Sequence, residues 1–369
     1  MQNQLSPLSQ RWLRLSLIKK RSPAFWLALL AHFELTIEQL FSLPVRELSQ
    51  CGLKPNEIAL INSPGDEIER IKQWLCQHPL NQIIAMSDAV YPERLKQLDS
   101  PPLIIYCHGN AQLLTAPQLA IVGSRKATIN GLNTARRLAK ELGDAGITVT
   151  SGLALGIDGA AHQGAYPTSG RTVAILGGGL GCIYPRSHQA LALSLVEHGG
   201  CLVSEFPPWE TVKPYHFPRR NRLIAALSSG VLLIEARIKS GSMITANLAA
   251  DMGIDVFATP GNINNPLSEG PHYLIQQGAR LVTGSGDICE ELGWVVKDSG
   301  DTDENHQQYE DDEPLLKEFA GEPIDIDYLV EKTGLSVNRL MPRLVDLELQ
   351  GRVVAVPGGY ILAPGSVGG

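Results

Sequence analysis

The feature that most constrains this chain is a rhythm between residues 103 and 282: short apolar runs, most of them separated by helical stretches. The runs are Leu103–Tyr106, Leu119–Val122, Ile147–Thr150, Thr172–Leu176, Cys201–Ser204, Val231–Ile234, Ile254–Ala258 and Arg280–Val282. A strand that is apolar throughout has both faces buried, and strands alternating with helices build a mainly parallel sheet covered on two sides. The expected fold class is therefore α/β, doubly wound. Such sheets bind ligands at the carboxyl ends of their strands, near the point where strand order reverses.

The residues at those strand ends suit anions. Gly123-Ser124-Arg125-Lys126 follows Val122, and Ser151–Asp158 follows Thr150 and leads to His162. Gly177-Gly178-Gly179 follows Leu176, with Tyr184-Pro185-Arg186 beyond it. Glu235 follows Ile234, then Lys239-Ser240-Gly241-Ser242 and Thr245 open a helix. Glycine lets backbone N–H groups approach an anion, and an arginine fork grips phosphate. One such loop is weak evidence; four in succession point to a phosphate-binding face. The densest basic cluster is Phe217-Pro218-Arg219-Arg220-Asn221-Arg222, preceded by Lys213, Tyr215 and His216, and no acidic residue lies between Thr211 and Ile234. Cations interleaved with aromatic rings suit single-stranded nucleic acid; the alternative is a solvated loop with surface arginines.

Asp158 and His162 share a helix face. They serve either as an acid–base pair or half a metal site, or as a helix cap and a satisfied buried histidine. The second reading is preferred, since Asp caps helices well and no third ligand is near in sequence. Glu235, at the end of an apolar strand, reads as the buried partner of an arginine rather than a general base.

Flanking segments set the organisation. Residues 1–80 read as a small bundle of helices, with breaks at Ser22-Pro23, Leu43-Pro44 and Ser63-Pro64-Gly65. Cys51–Pro55 there reads as a plain turn or as a helix-hairpin-helix turn. Residues 81–297 hold the α/β domain. Residues 298–312 are acidic and nearly devoid of apolar side chains, as expected of a flexible linker. Residues 313–369 follow, with a helix from Pro314, a second at Asp327–Lys332, a turn at Thr333-Gly334, a third helix at Val337–Leu349 and a glycine-tipped hairpin. This is the winged-helix layout.

The net charge of −7 over 369 residues argues at first against a nucleic-acid partner, but it is unevenly placed. Residues 1–80 carry +2, 81–295 are neutral, 296–312 carry −6 and 313–369 carry −3, so the middle is free to hold a basic pocket. Six cysteines with no CxxC pair suit reduced thiols and no zinc knuckle. No apolar run reaches membrane-spanning length, so a cytoplasmic protein with no membrane contact is expected.

Together the motifs resemble the DNA-processing protein A (DprA/Smf) family. They are YPERL at 91–95, PPL at 101–103, AIVGSRKAT at 120–128, TSGLALGIDGAAH at 150–162 and AILGGGLGCIYP at 174–185. They continue with SEFP at 204–207, HFPRRNRLIAALS at 216–228, SGSMITANLA at 240–249 and TPGNINNPLSEGPHYLIQQGARLV at 259–282. The resemblance implies a Rossmann-like domain, an N-terminal SAM or helix-hairpin-helix-like bundle and a C-terminal winged helix. It implies a non-enzymatic protein, without cofactor or metal, that binds single-stranded DNA, protects it in natural transformation and loads RecA recombinase onto it. The implied DNA-binding residues are Gly123, Ser124, Arg125, Lys126, Arg186, Lys213, Phe217, Arg219, Asn221, Arg222, Ser240, Gly241 and Ser242, with Phe217 stacking on a base. A homodimer and RecA surface is implied along His272–Ala279 and beyond, through His272, Ile275, Gln276 and Leu281.

Two rivals differ in class. One is a nucleotide phosphoribohydrolase using a PGGxGTxxE loop; here the corresponding residues 240–249 lack the PGG, and no carboxylate appears before Asp251. The other makes the C-terminal unit a transcription-factor head. Its candidate recognition helix mixes Arg339 and Arg343 with Asp346 and Glu348, a poor balance for duplex docking, so it reads as an accessory or protein-contact module.

Overall fold

The computed structural model describes residues 5–18, 21–63, 65–294, 324–333, 337–349, 352–356 and 359–362. The expected linker at 298–312 and the helix from Pro314 lie outside the described residues, as do Gly334 and the Pro357-Gly358 part of the hairpin tip. The chain divides into two compact units, Met1–Val296 and Lys297–Gly369.

The first unit opens with six helices: α1 (Pro7–Leu17), α2 (Pro23–His32), α3 (Ile37–Ser42), α4 (Val45–Gln50), α5 (Pro55–Asn62) and α6 (Asp66–Gln77). Their starts are written in the sequence. Ser6, Ser22 and Thr36 accept from the N–H of Ser9, Phe25 and Gln39, and proline occupies the first turn of α1, α2 and α5. Gly52, at φ +79°, makes the turn between α4 and α5. The buried side chains of these helices, Trp12, Leu15, Trp26, Leu40 and Ile71 among them, are continuous with Leu103, Tyr106, Leu180 and Leu202 of the α/β part. The bundle and one side of the sheet thus share a single core. Arg70 of α6 also lies 4.0 Å from the ring centroid of Trp209, bracing a loop of the α/β part.

Nine strands form the sheet: β1 (Asn81–Ala85), β2 (Ile104–Gly109), β3 (Gln118–Gly123), β4 (Thr148–Ser151), β5 (Thr172–Ile175), β6 (Cys201–Ser204), β7 (Gly230–Ile234), β8 (Asp255–Ala258) and β9 (Arg280–Leu281). Their order is β1-β2-β6-β5-β4-β3-β7-β8-β9. β1 runs antiparallel to β2, and β2 antiparallel to β6; the other pairs are parallel. Burial on both faces follows the period of two: Leu119 and Ile121 enter one core, Ala120 and Val122 the other, and Leu232/Ile234 and Val231/Leu233 divide likewise. Helices α7 (Glu93–Lys96), α8 (Ile129–Asp144), α9 (Ile157–Ala165), α10 (Gln189–Glu197), α11 (His216–Leu227), α12 (Gly241–Asp251), α13 (Glu269–Gln276) and α14 (Ser285–Glu291) complete the unit. Beyond β3 the chain adds β4, β5 and β6 on one side, whereas β7, β8 and β9 extend the other. The switch point therefore falls between β3 and β7.

In the second unit, α15 (Ile326–Thr333) and α16 (Val337–Leu349) precede an antiparallel hairpin of β10 (Val353–Val356) and β11 (Gly359–Leu362), as a winged helix requires. Leu329, Leu340, Leu344, Leu347 and Val353 make its small core. On α16, Asp346 and Glu348 are exposed.

The shared core has a measurable consequence. Ile71→Ala should destabilise the protein by about 2–5 kcal/mol, the cost of emptying a fully buried aliphatic site. In urea titrations, tryptophan fluorescence, with Trp12, Trp26 and Trp74 in the bundle and Trp209 and Trp294 in the α/β part, and far-UV circular dichroism should shift together. An early transition of the bundle alone would show that its core is separate.

Candidate functional site

The loops at the switch point are locked to one another by backbone geometry. Ser124 N–H donates to the Glu235 carbonyl at 2.6 Å, Ile157 N–H donates to the Ser124 carbonyl at 3.2 Å, and Ser242 Oγ donates to the Gly123 carbonyl at 2.6 Å. A side chain at Gly123 would meet the Ile234 carbonyl oxygen, and one at Gly156, already at φ +77°, would meet that of Ser124. Both positions need glycine because the backbones touch there.

Between these loops opens a cleft of about 820 Å³. Gly123, Ser124, Arg125 and Lys126 line one wall, Ser240, Gly241, Ser242 and Thr245 another, and Arg237 and Lys239 the rim. The first N–H groups of α12, at Gly241 and Ser242, have no intrahelical acceptor and carry the positive end of the helix dipole. Ser240 caps the helix through Met243 N–H. Arg125, Lys126, Arg237 and Lys239 form no ion pair among the described residues, and Arg125 lies near enough to Asp158 to help hold its carboxyl down.

The floor comes from α11. The basic cluster from His216 is helical rather than the solvated loop of the alternative reading, and Phe217, Arg220, Asn221 and Ile224 form one stripe at helical spacing along the cleft. Arg220, which the sequence reading passed over, is 4% exposed. Its guanidinium donates to the carbonyls of Gly152 and Ile175 at 2.5 Å each, tying the ends of β4 and β5 together. Burial pushes its pKa down to about 10, while Asp158 holds it up, so it is charged at neutral pH. Burial likewise raises the Asp158 carboxyl, countered by Arg220 and by the N–H groups of Gly152 and Ala154. Asp158 is not the cap of α9, a place taken by Gly156; it closes the preceding loop and faces Arg220.

Arg219 and Arg222, three apart on the opposite face of α11, both reach Glu205, at 2.9 and 2.5 Å. Arg222 also donates to the Ser100 carbonyl. Neither lines the cleft. The acid missing from the local sequence is supplied by a distant loop, so both arginines expected on phosphate are engaged in ion pairs. Lys213 pairs with Glu210 at 2.5 Å. Glu235 has no arginine partner among the described residues. Its carboxylate accepts from Thr128 N–H and Oγ–H, fixing the start of α8.

Phe217 is the hinge of the site. Its ring lines the cleft, a small apolar recess beside it and an outer groove, and the Arg125 guanidinium lies 5.1 Å from its centroid. Arg186 and Lys213 belong to the outer groove rather than the cleft. His272 and Ile275 are half-buried on α13, whereas Gln276 and Leu281 are exposed. No group of three or more metal-type ligands occurs among the described residues, and no helix among them is long and apolar enough to cross a membrane.

His162 is fully buried; its Nδ1–H donates to Thr172 Oγ1 at 2.7 Å and Nε2 accepts from Leu153 N–H at 3.2 Å. Thr172 Oγ donates onward to the Val149 carbonyl, which fixes the tautomer. Burial pushes its pKa down to about 3. A depressed folded pKa gives stability that is complete above about 6.5 and is lost as pH falls toward 3. Relative to His162→Gln, the wild type should therefore lose about 2 kcal/mol of unfolding free energy between pH 7 and 5 in urea titrations. Parallel pH profiles for the two proteins would contradict the assignment.

Known proteins match this architecture. The family model for DNA recombination-mediator protein A covers residues 82–293, and that for the DprA winged helix domain covers 302–359. Protein Smf of Escherichia coli is 39% identical over 92% of this chain and 90% of its own length. DNA processing protein DprA of Bacillus subtilis is 41% identical over 57% of this chain and 70% of its own. The X-ray structure of DprA from Streptococcus pneumoniae superposes with a TM-score of 0.63 at 32% identity, covering 78% of this chain and 98% of that one. The Helicobacter pylori DprA structure, described for its single-stranded DNA binding mode, gives a TM-score of 0.52 at 30% identity, covering 57% and 95%. With its α/β domain and winged-helix region both matched, the chain belongs to the DNA-processing protein A (DprA/Smf) family.

Proposed function

We propose that this protein binds single-stranded DNA through the switch-point cleft, without catalysing a reaction on it. The observation that carries the reading is the composition of the cleft: four cations without ion pairs among the described residues, a helix N-terminus and one aromatic ring, Phe217, beside Arg125. Phosphates meet the cations and N–H groups, and a base stacks on Phe217. Hydrolysis has little support. Asp158 is the one carboxylate among the described cleft-lining residues, and it is occupied by Arg220 and backbone N–H groups, while Asp251 is exposed at the far end of α12.

Membership of the family extends the proposal to protecting incoming DNA during natural transformation and loading RecA, in the cytoplasm. Pairing of two copies is proposed along α13 and β9. There Tyr273, Gln276, Gln277 and Leu281 are exposed beside a two-residue strand that ends the sheet with an unpaired edge.

Fluorescence anisotropy with a labelled oligonucleotide tests the central claim. Arg125→Ala should weaken binding about ten- to hundredfold, the value of a charge-assisted hydrogen bond. If Arg125, Lys126, Arg237 and Lys239 each meet a phosphate, log K should fall against log salt with a slope of about −2.8. A flat salt dependence, with micromolar competition by a mononucleotide, would point to a small-molecule site instead. Deleting residues 297–369, which carry a net −9, should leave affinity within about threefold. A tenfold loss in the folded truncated protein would make the winged helix a DNA contact.

A further inference from the structure

We propose that the outer groove beyond Phe217 is a second nucleotide subsite, in which Tyr184 stacks on the base that follows the one on Phe217. This rests on the reading of the inner cleft as the single-strand site and adds to it a residue and a direction for the strand.

The groove, about 550 Å³, is lined by residues 181–184, Arg186 and Gln189 on one side and 211–214 on the other, and it meets the cleft at Phe217. Tyr184 is 50% exposed, so half of its ring is open to a stacking partner. Its ring centroid is 6.0 Å from that of Phe217, with the planes 58° apart. Two rings so disposed form an open wedge, leaving a face of each available to a separate base. Arg186 is exposed and has no acid partner among the described residues; Lys213 is tied to Glu210 and lies 6.0 Å from the Tyr215 ring. No carboxylate lines the groove among the described residues. A half-exposed ring, an unpaired guanidinium and an absence of acid select a planar apolar group joined to an anion, which is the chemistry of a nucleotide.

The groove is also preformed. Gly179 N–H donates to the Glu210 carbonyl and Gly181 N–H to that of Pro208, each at 2.8 Å, binding its two walls together. Behind them Trp209 is held under Arg70 of α6. A strand crossing the cleft past Phe217 thus enters a rigid groove whose only free cation among the described lining residues is Arg186.

The test is a length series of oligodeoxythymidylates, from about four to about twenty nucleotides, titrated by anisotropy against the full-length protein. Tyr184→Ala should lower affinity about five- to hundredfold for long oligonucleotides, leave the shortest bound as in wild type, and keep the salt slope. Tyr184→Phe should bind as wild type at every length. Arg186→Ala should weaken only the longer oligonucleotides and reduce the salt slope by about 0.7. If Phe217→Ala weakens binding while Tyr184→Ala and Arg186→Ala change nothing at any length, the outer groove is empty in the complex and this proposal falls alone. Equal weakening at all lengths by Tyr184→Ala would place that ring in the inner site and overturn it as well. Wild type that binds no single strand would remove the underlying reading instead.

Discussion

The switch-point site depends on one buried guanidinium. Arg220 sits where the ends of β4 and β5 would otherwise leave the carbonyls of Gly152 and Ile175 facing each other beneath the cleft. Two unpaired carbonyls in a dry site cost about 1–3 kcal/mol each, so a donor there is a structural necessity. A cation there needs an anion, and Asp158 supplies it while closing the Gly152–Ala154 turn. That turn carries Leu153 at φ +56°, held by its N–H bond to the neutral His162. Arg220, Asp158 and His162 therefore form one framework, and the shape of the cleft floor follows from it.

A second constraint separates the arginines of α11 by function. A helix turns about 100° per residue, so Arg219 and Arg222 face one way and Arg220 the other. The first two converge on Glu205, whose side chain is only 2% exposed. Truncating a buried carboxylate of this kind strands its partners, which is why such a pair fixes position better than it adds stability. Here it pins α11 against the segment after β6, and that pins the face bearing Phe217 and Asn221 toward the cleft.

These relations explain what the sequence disclosed and what it hid. The strands with two apolar faces were legible, because a run such as Leu119–Val122 leaves few other options. β1 was not; Asn81 and Gln82 make half of it polar, and it follows directly on a helix. The loops that line the cleft were legible as glycine-rich strand ends. Which arginine did what was not, because an absence of acid between Thr211 and Ile234 says nothing of Glu205 arriving from outside that stretch. The helical stripe at 217, 220, 221 and 224 was the available signal, and it required placing the basic cluster on a helix.

The division between fixed and free cations also explains how a chain of net charge −7 can carry a locally positive cleft. Coulomb interactions in about 0.1 M salt fade beyond about 10 Å, so what a phosphate feels is the local set of groups, not the total. In the floor, the charge of Arg220 is balanced by Asp158 and its donors are taken by carbonyls; its contribution is a preorganised shape. On the wall and rim, Arg125, Lys126, Arg237 and Lys239 form no ion pair among the described residues, so their charge is open to an anion entering the cleft. The partnered cation of the floor holds the shape of the cleft, and the cations without ion pairs give it its positive charge.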